Sequence, residues 1–366
     1  MNRPCLRKVL DCASPLALWE RWPAKRKRQR TGTLQDAIAR HVAYLFIAAL
    51  LWVTAPVAPC AEADPGSQIP IEFKRDDGKG QMQVLIGGKE ALVYCYGQDV
   101  DLPHFYPVRS PSGKSMTVEQ IEPYPHHRSF WFADTVQLAG QRQVSFYNAF
   151  YSGSGDKQNP KPPFRDHIRH LAFTGQRGGN KEAELDMKLL WEMEDGRIPV
   201  LDETRRIRVV AQGDGQYFLD LQFTLTASYG DVTFHSDAVH YAWPFIRLND
   251  DFAQKGGGLL VNSEGQTGQT NTNMKVAKWV DFSRAGASDA EGLAMFSHPA
   301  NEHPHAWLTR DYGCLGPRRI DAKSGKPFTL KKGESIGTRS GVLVHQGDVK
   351  SGRVAERYQA YADGRL

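Results

Sequence analysis

Alternation of apolar and polar residues in short segments is the feature that most constrains the fold of this chain. The clearest case is "QYFLDLQFTLTA", where apolar side chains at 217, 219, 221, 223 and 225 alternate with polar ones at 220, 222 and 224. Successive side chains of a strand point to opposite faces, so this pattern predicts a β-strand with one buried face.

The segments on either side of this strand repeat the pattern. "EAELDMKLLWEME" and "ETRRIRVVAQG" precede it and are joined through "DGRIP" and "GDGQ", which are typical of turns between antiparallel strands. Similar short segments continue from residue 69 onward, separated by many of the 34 glycines and 21 prolines, and the one good helix outside the N-terminus is "VAERYQAYADGRL". The sequence therefore predicts an all-β fold with few helices: a single large antiparallel β-sandwich domain over residues 64–366.

Residues 1–63 have the composition of a signal peptide with a long basic n-region. The basic run "KRKRQR" at 25–30 precedes an apolar run at 43–59, and "AEA" at 61–63 fits a small-x-small cleavage site. We therefore expect an N-terminal signal helix, export to the periplasm or cell surface, and no stable membrane association after cleavage. An uncleaved membrane anchor stays an alternative, because an apolar run of this length is at the low edge for a spanning helix.

The basic leader accounts for the positive net charge. Residues 1–63 hold ten Lys and Arg against four Asp and Glu, whereas the whole chain holds 46 against 41. The predicted domain is thus nearly neutral, which argues against nucleic acid as a partner. Beyond the leader only Cys95 and Cys314 occur, and one disulfide or two buried thiols are both compatible with their surroundings.

The segment "PYPHHRSFWFAD" has the richest chemistry. His126 and His127 are candidate general acids or bases, Arg128 can stabilise an oxyanion, and Asp134 can orient a histidine. Adjacent strand residues face opposite ways, but a turn after Pro125 would let both histidines reach one site. The structural alternative is a hydrogen-bonded cluster beside an aromatic core.

The second dense segment is "SHPANEHPHAWLTRDYGCLG", residues 297–316. Trp307 and Tyr312 are suited to stacking on a sugar ring, together with Trp131 of the first segment. Arg310 and Asp311 are candidates for binding vicinal hydroxyls, stabilising an oxyanion and orienting a histidine. The alternative is a well-packed connecting loop.

The sequence identifies no cofactor. His167 and His170 are three residues apart, and no strong zinc-binding spacing occurs, although a divalent metal stays an open alternative. We find no phosphate-binding loop, no dinucleotide fingerprint and no nucleophile elbow.

Several motifs in the same order resemble a bacterial family of unknown function that automated annotation labels PmoA-like, or "methane oxygenase PmoA". They are "FYPVRSPSG", "YPHHRSFWFA", "GGGLLVNSEGQTG", "AKWVDFS", "GLAMFSHPANEHPHAWLTRDYGCLG" and "GVLVHQGD". The resemblance implies an exported protein and a sheet pattern similar to the galactose-mutarotase-like supersandwich. Because the chain has one apolar segment, we do not expect a membrane methane monooxygenase subunit.

The resemblance also marks individual positions. It adds Asp237, Glu264 and Gly313 to the residues above, and Arg109 lies in the first motif. We assign Arg109, Asp237 and Glu264 to substrate binding, although the segment "FHSDAVH" departs from the family pattern.

These observations predict an exported carbohydrate-active protein with a small-molecule or oligosaccharide substrate. The favoured chemistry is acid/base catalysis of isomerisation, elimination or hydrolysis of a sugar or oxidised sugar. A carbohydrate-binding sandwich without catalysis and a histidine-ligated metal enzyme are the alternatives.

Overall fold

The computed structural model of the chain describes residues 68–152, 164–235, 242–284, 289–302, 304–319 and 326–366. The predicted signal peptide and Asp237 lie outside these described residues. Within them, no helix combines the length and the apolar character that crossing a bilayer requires.

The described strands form three antiparallel sheets. The first has nine strands in the order β18-β19-β14-β5-β4-β3-β2-β1-β9. Their bounds are β1 Pro70–Asp76, β2 Gln81–Ile86, β3 Lys89–Cys95, β4 His104–Val108, β5 Phe130–Trp131, β9 Gly179–Asn180, β14 Phe245–Arg247, β18 Ala306–Thr309 and β19 Cys314–Arg318.

The second sheet has eight strands in the order β15-β16-β17-β21-β12-β11-β10-β8. Their bounds are β8 His167–Arg177, β10 Glu182–Met193, β11 Ile198–Gly213, β12 Gln216–Thr226, β15 Gly258–Asn262, β16 Trp279–Arg284, β17 Glu291–Ser297 and β21 Ser335–Gln346.

The third sheet is smaller, with four strands in the order β20-β13-β6-β7. Its strands are β6 Thr135–Leu138, β7 Gln143–Ser145, β13 Val232–Phe234 and β20 Phe328–Leu330. The helices of the described residues are α1 Ala149–Ser152, α2 Gly268–Thr272 and α3 Val354–Ala362, with 3₁₀ turns at Phe146–Asn148 and Gln254–Gly256. The prediction of an antiparallel all-β fold with few helices is confirmed, as is the C-terminal helix.

One continuous apolar core joins the three sheets. Leu92 of the first sheet, Trp191 of the second and Val232 of the third belong to the same buried cluster. Phe132 follows β5 and stacks on Phe223 of β12, with ring centroids 4.5 Å apart. The aromatic run that follows the paired histidines therefore enters the core, as the alternation of strand side chains requires.

Helix α3 covers part of the outer face of the second sheet. Its Tyr361 packs on Phe218 of β12, with ring centroids 5.1 Å apart. Asp220 on the same face is therefore buried, although its alternation with the apolar residues indicates a solvent-facing position, and Arg339 neutralises it through two hydrogen bonds of 2.8 and 2.6 Å. A helix distant in sequence thus changes the environment of a polar strand face.

We expect His170 on β8 to make part of the stability depend on pH. Its ring packs against Tyr96 and Phe173, and burial first, then the charges of Arg205 and Arg75, lowers the pKa of His170 from 6.5 to about 4. Between these values the unfolded chain binds a proton that the folded chain does not bind, so the free energy of unfolding falls as pH falls from 6.5 towards 4.

We expect His170→Gln to flatten the acid side of the stability profile, measured as urea midpoints from pH 4 to 7. An unchanged slope of stability against pH in the variant would contradict the role of His170 in this pH dependence.

Candidate functional site

A cavity of about 350 Å³ lies where two segments that are far apart in the sequence meet. One segment is the turn that precedes β5, and the other is the hairpin formed by β18 and β19. The described residues that line the cavity are Tyr124, His126, His127, Tyr147, Asn148, Phe245, Leu308, Arg310, Tyr312 and Cys314. The structure therefore brings the two histidines together with Arg310 and Tyr312.

The backbone before β5 turns at the two histidines. The amide of Tyr124 donates to the carbonyl of Ile121, and the amide of His127 donates to the carbonyl of Tyr124, both at 2.9 Å. Because this segment is not extended, His126 and His127 both line the cavity, and their ring centroids are 4.6 Å apart. The turn that the sequence offers as the way to bring both rings to one site is present.

Each histidine is hydrogen-bonded to a tyrosine hydroxyl. Nδ1 of His126 lies 3.0 Å from the hydroxyl of Tyr151, and Nε2 of His127 lies 3.1 Å from that of Tyr147. Both tyrosines come from the 3₁₀ turn and α1 that follow β7, so a third segment completes the site. Burial, and secondarily the charge of Glu122, raises the pKa of Tyr151, which keeps its hydroxyl protonated at neutral pH.

A row of stacked rings connects the histidine side of the cavity to the hairpin side. Tyr124 stacks on His127 with centroids 4.9 Å apart and on Tyr312 with centroids 5.4 Å apart. The guanidinium of Arg247 lies 4.7 Å from the Tyr312 ring centroid. Burial raises the pKa of Tyr312 strongly, so its phenol is also neutral. Apolar ring faces with a few polar atoms are typical of small-molecule sites.

Arg310 is held in place by Asn273, which directly follows α2. Nη1 of Arg310 donates to Oδ1 of Asn273 at 2.7 Å and to the carbonyl of Thr309 at 3.1 Å. The same Asn273 oxygen accepts the amide of Thr309 at 3.2 Å. A single asparagine therefore positions both the guanidinium and the strand that carries it.

The turn between β18 and β19 requires a glycine. The amide of Gly313 donates to the carbonyl of Arg310 at 2.9 Å, and Gly313 has a φ of 86°, in the left-handed region. A Cβ atom at Gly313 would lie 2.9 Å from Cβ of Leu248 and 3.0 Å from Cβ of Ala253. Both backbone conformation and packing therefore select glycine.

We expect Gly313→Ala to lower the free energy of unfolding by about 1–3 kcal/mol, because alanine is strained at this φ. Chemical denaturation checks this, and Gly333→Ala is the control: Gly333 has a φ of 88° but no atom within 4 Å of an added Cβ. Equal losses in the two variants would contradict the contribution of packing at Gly313.

Arg128 and Asp134, two of the three predicted catalytic residues that are not among those lining the cavity, have buried partners. Nη2 of Arg128 bonds to Oδ2 of Asp101 at 2.7 Å, and both side chains are buried. Asp134 is also buried and accepts the Trp243 indole N–H at 2.8 Å and the Thr135 amide at 2.6 Å. Neither Arg128 nor Asp134 is among the residues that line the cavity.

The two predicted tryptophans are parts of the core. Trp131 is 1% exposed and stacks on Phe245, and Trp307 is fully buried with its indole N–H donated to the carbonyl of Ala277 at 2.8 Å. Neither ring presents a face to solvent. Of the aromatic residues predicted to stack on a sugar, only Tyr312 lines the cavity.

The other predicted residues are not among those lining the cavity. Asp311 is exposed at the tip of the hairpin, where its amide donates to Oε1 of Gln269. Glu264 is exposed and accepts the hydroxyl of Ser263, and Arg109 pairs with Glu90 at 2.8 Å.

No group of three or more His, Cys, Asp or Glu side chains suited to a metal ion occurs among the described residues. His167 instead pairs with Glu192 at 2.9 Å. Cys95 and Cys314 are both free thiols, and burial raises the pKa of Cys314 in the cavity wall to about 12.

Sequence reasoning did not find Tyr124, Tyr147, Tyr151, Asn148 or Asn273. Tyr124 lies within the motif "PYPHH" itself, so its closeness to the histidines was an available signal. The remaining four lie in segments without a distinctive pattern, and only the tertiary structure brings them to the cavity.

Fold and cavity together define an antiparallel β-sandwich protein with a cavity of histidines, tyrosines and one arginine beside strands β14, β18 and β19. The profile of a family of unknown function, DUF6807, matches residues 81–359, and the chain belongs to this family. No curated protein matches the chain in sequence.

The solved structures to which the chain is similar include carbohydrate-active enzymes. A GH36 α-galactosidase from Geobacillus stearothermophilus has 10% identity and a TM-score of 0.42 over 77% of this chain and 42% of its own. A galactose 1-epimerase from Lactobacillus acidophilus has 10% identity and a TM-score of 0.31 over 76% of this chain and 99% of its own. A polysaccharide lyase has 12% identity and a TM-score of 0.33 over 76% of this chain and 33% of its own. The chain thus spans about two fifths of the length of the α-galactosidase.

Proposed function

We propose that this chain is an exported carbohydrate-active protein that performs acid/base chemistry on a sugar or an oxidised sugar in the cavity described above. The observation that supports the proposal is the convergence of two histidine–tyrosine pairs with Arg310 on one cavity. Acid/base catalysis needs groups within hydrogen-bond reach of a common substrate, and imidazoles exchange protons near neutral pH.

The roles follow from the contacts. His127 takes a proton from a sugar C–H or O–H, and the buried hydroxyl of Tyr147 orients its ring. His126, paired with Tyr151, returns a proton to the substrate. Arg310 stabilises the negative charge that develops on the substrate oxygen.

Tyr124 is stacked between His127 and Tyr312, and Tyr312 lies between Tyr124 and Arg247, so these rings would contact a sugar through their edges and hydroxyls. The cavity volume of about 350 Å³ is near the lower end of ligand sites, which fits one or two sugar units better than a long glycan. We also infer that the matched family is the one labelled PmoA-like, because the motifs of that resemblance all lie within residues 81–359.

Solvent deuterium exchange tests the proposal whichever product the reaction forms. The purified protein is incubated in D₂O with a panel of hexoses, keto-sugars, hexuronates and short oligosaccharides, and proton NMR follows loss of C–H signals and appearance of new sugars. We expect exchange or conversion of at least one panel member.

Binding measured on the same panel distinguishes the alternatives. Binding without exchange or conversion would favour a carbohydrate-binding sandwich, and no binding at all would overturn the proposal. Repeating the assay after chelation tests the metal-dependent alternative, since activity that disappears with the metal and returns with added Zn²⁺ or Mn²⁺ would favour it.

A further inference from the structure

We propose that Asn148 accepts a hydrogen bond from a hydroxyl group of the ligand, so that the substrate class is a sugar with a free hydroxyl beside the carbon on which His127 acts. This inference rests on the proposed function and deepens it, because it names a specificity-determining residue. Asn148 is half-buried and lines the cavity, and it has no part in the proton transfers assigned to the two histidines.

The side-chain amide of Asn148 is anchored to the third sheet through its nitrogen. Nδ2 of Asn148 donates to Oγ of Ser145, the last residue of β7, at 3.2 Å. Oγ1 of Thr135 on the neighbouring strand β6 donates to the same Ser145 oxygen at 2.9 Å. The strand pair therefore sets the orientation of the amide before any ligand binds.

The amide oxygen of Asn148 is the atom that is left for a ligand. Among the described residues none donates to this Oδ1, whereas Nδ2 is bonded to Ser145. An amide oxygen only accepts hydrogen bonds, so its partner on a ligand must be an O–H or N–H group. Because sugars carry hydroxyl donors on most of their carbons, a sugar hydroxyl is the group that matches Asn148.

Chain connectivity places Asn148 on the histidine side of the cavity. Asn148 directly follows Tyr147 in the 3₁₀ turn, and the Tyr147 hydroxyl lies 3.1 Å from Nε2 of His127. The Tyr147 ring also makes a T-shaped contact with His126, with centroids 5.4 Å apart. One short turn therefore carries both the partner of the base and an acceptor for the ligand, so the hydroxyl bound by Asn148 is near the carbon from which His127 takes a proton.

Calorimetric titration of each panel sugar that binds, beginning with D-glucose and D-galactose, against its 2-, 3- and 4-deoxy analogues tests the inference. Each analogue keeps the ring and removes one hydroxyl. We expect the analogue that lacks the hydroxyl bound by Asn148 to bind about tenfold more weakly, because a hydrogen bond is lost and an acceptor is left unpaired. Asn148→Leu keeps the size and removes the amide, so it should abolish the preference at that one position. Asn148→Asp keeps acceptor oxygens and should retain it.

Asn180→Leu is the matched control, because the exposed amide of Asn180 on β9 bonds to Gln68 and its loss should leave every preference unchanged. Asn148→Ala is a second variant, judged by the same ratio of affinities if leucine disturbs the turn. Unchanged preferences in the Asn148 variants, or equal binding of a sugar and all its analogues to the unmodified protein, would overturn the inference and leave the proposed function standing. Binding of no panel member would overturn both.

Discussion

Replacement of His127 by alanine is expected to lower sugar C–H exchange or turnover by about 10²- to 10⁴-fold, the range typical of general acid/base residues. Sugar binding should remain measurable, because Tyr124, Tyr312 and Arg310 still line the cavity. The physical reason is that His127 faces the cavity and holds a hydrogen bond to Tyr147 at 3.1 Å.

The stability of the variant must be separated from its chemistry, since His127 is only 4% exposed and stacks on Tyr124. His127→Gln keeps more of the packing and should lose the same activity. Tyr147→Phe keeps the ring and removes the hydroxyl, so we expect a smaller loss of rate and a changed pH–rate profile.

His126→Ala is the informative comparison, because the two imidazoles have different tyrosine partners. Loss of isomerisation with retained C–H exchange would identify His126 as the residue that returns the proton. Full activity in His127→Ala and His127→Gln, with both proteins folded, would contradict the assigned role of His127.

The second large effect concerns stability. Glu203 and Arg205 on β11 are both fully buried as side chains and are joined at 2.8 Å. Trp191 also donates its indole N–H to Glu203 at 2.8 Å. We expect Glu203→Ala to lower the free energy of unfolding by about 3–5 kcal/mol, because the substitution leaves a buried arginine without its counter-charge.

Urea or guanidinium unfolding measures this loss. Asp186→Ala is the matched control, because Asp186 pairs with Arg206 at the same distance of 2.8 Å but on an exposed face. Exposed pairs contribute about 0–1 kcal/mol, so the control should change little. Equal losses in the free energy of unfolding for the two substitutions would contradict the expectation that burial makes the Glu203–Arg205 pair more important for stability.

Glu203→Gln should lower the free energy of unfolding by an amount between the losses for Asp186→Ala and Glu203→Ala. The amide oxygen of the glutamine can still accept the indole N–H of Trp191, while the negative charge is lost. Alternation along the segment "ETRRIRVVAQG" is enough to place Glu203 and Arg205 on the same strand face. The sequence did not show that this face is in the core, where the pair becomes important for stability.

The same distinction explains which of the predicted site residues line the cavity. The turn at Pro125 and the glycine of the β18–β19 hairpin are local features, so His126, His127, Arg310 and Tyr312 could be found from their own segments. The types of Arg128 and Asp134 indicated a functional role equally well. However, Arg128 forms an ion pair with Asp101, and Asp134 accepts a hydrogen bond from Trp243, and both partners are far away in the sequence. Residue type does not reveal such partners.

The sequence by itself determined the strands, the C-terminal helix and the turns, because side-chain alternation, glycine and proline act over a few residues. Tertiary structure alone decided that Tyr147 lines the cavity, that Asn273 positions Arg310 and that Trp307 belongs to the core. Strand geometry sets only the direction in which a side chain points, whereas long-range packing of the sheets determines which residues that side chain contacts.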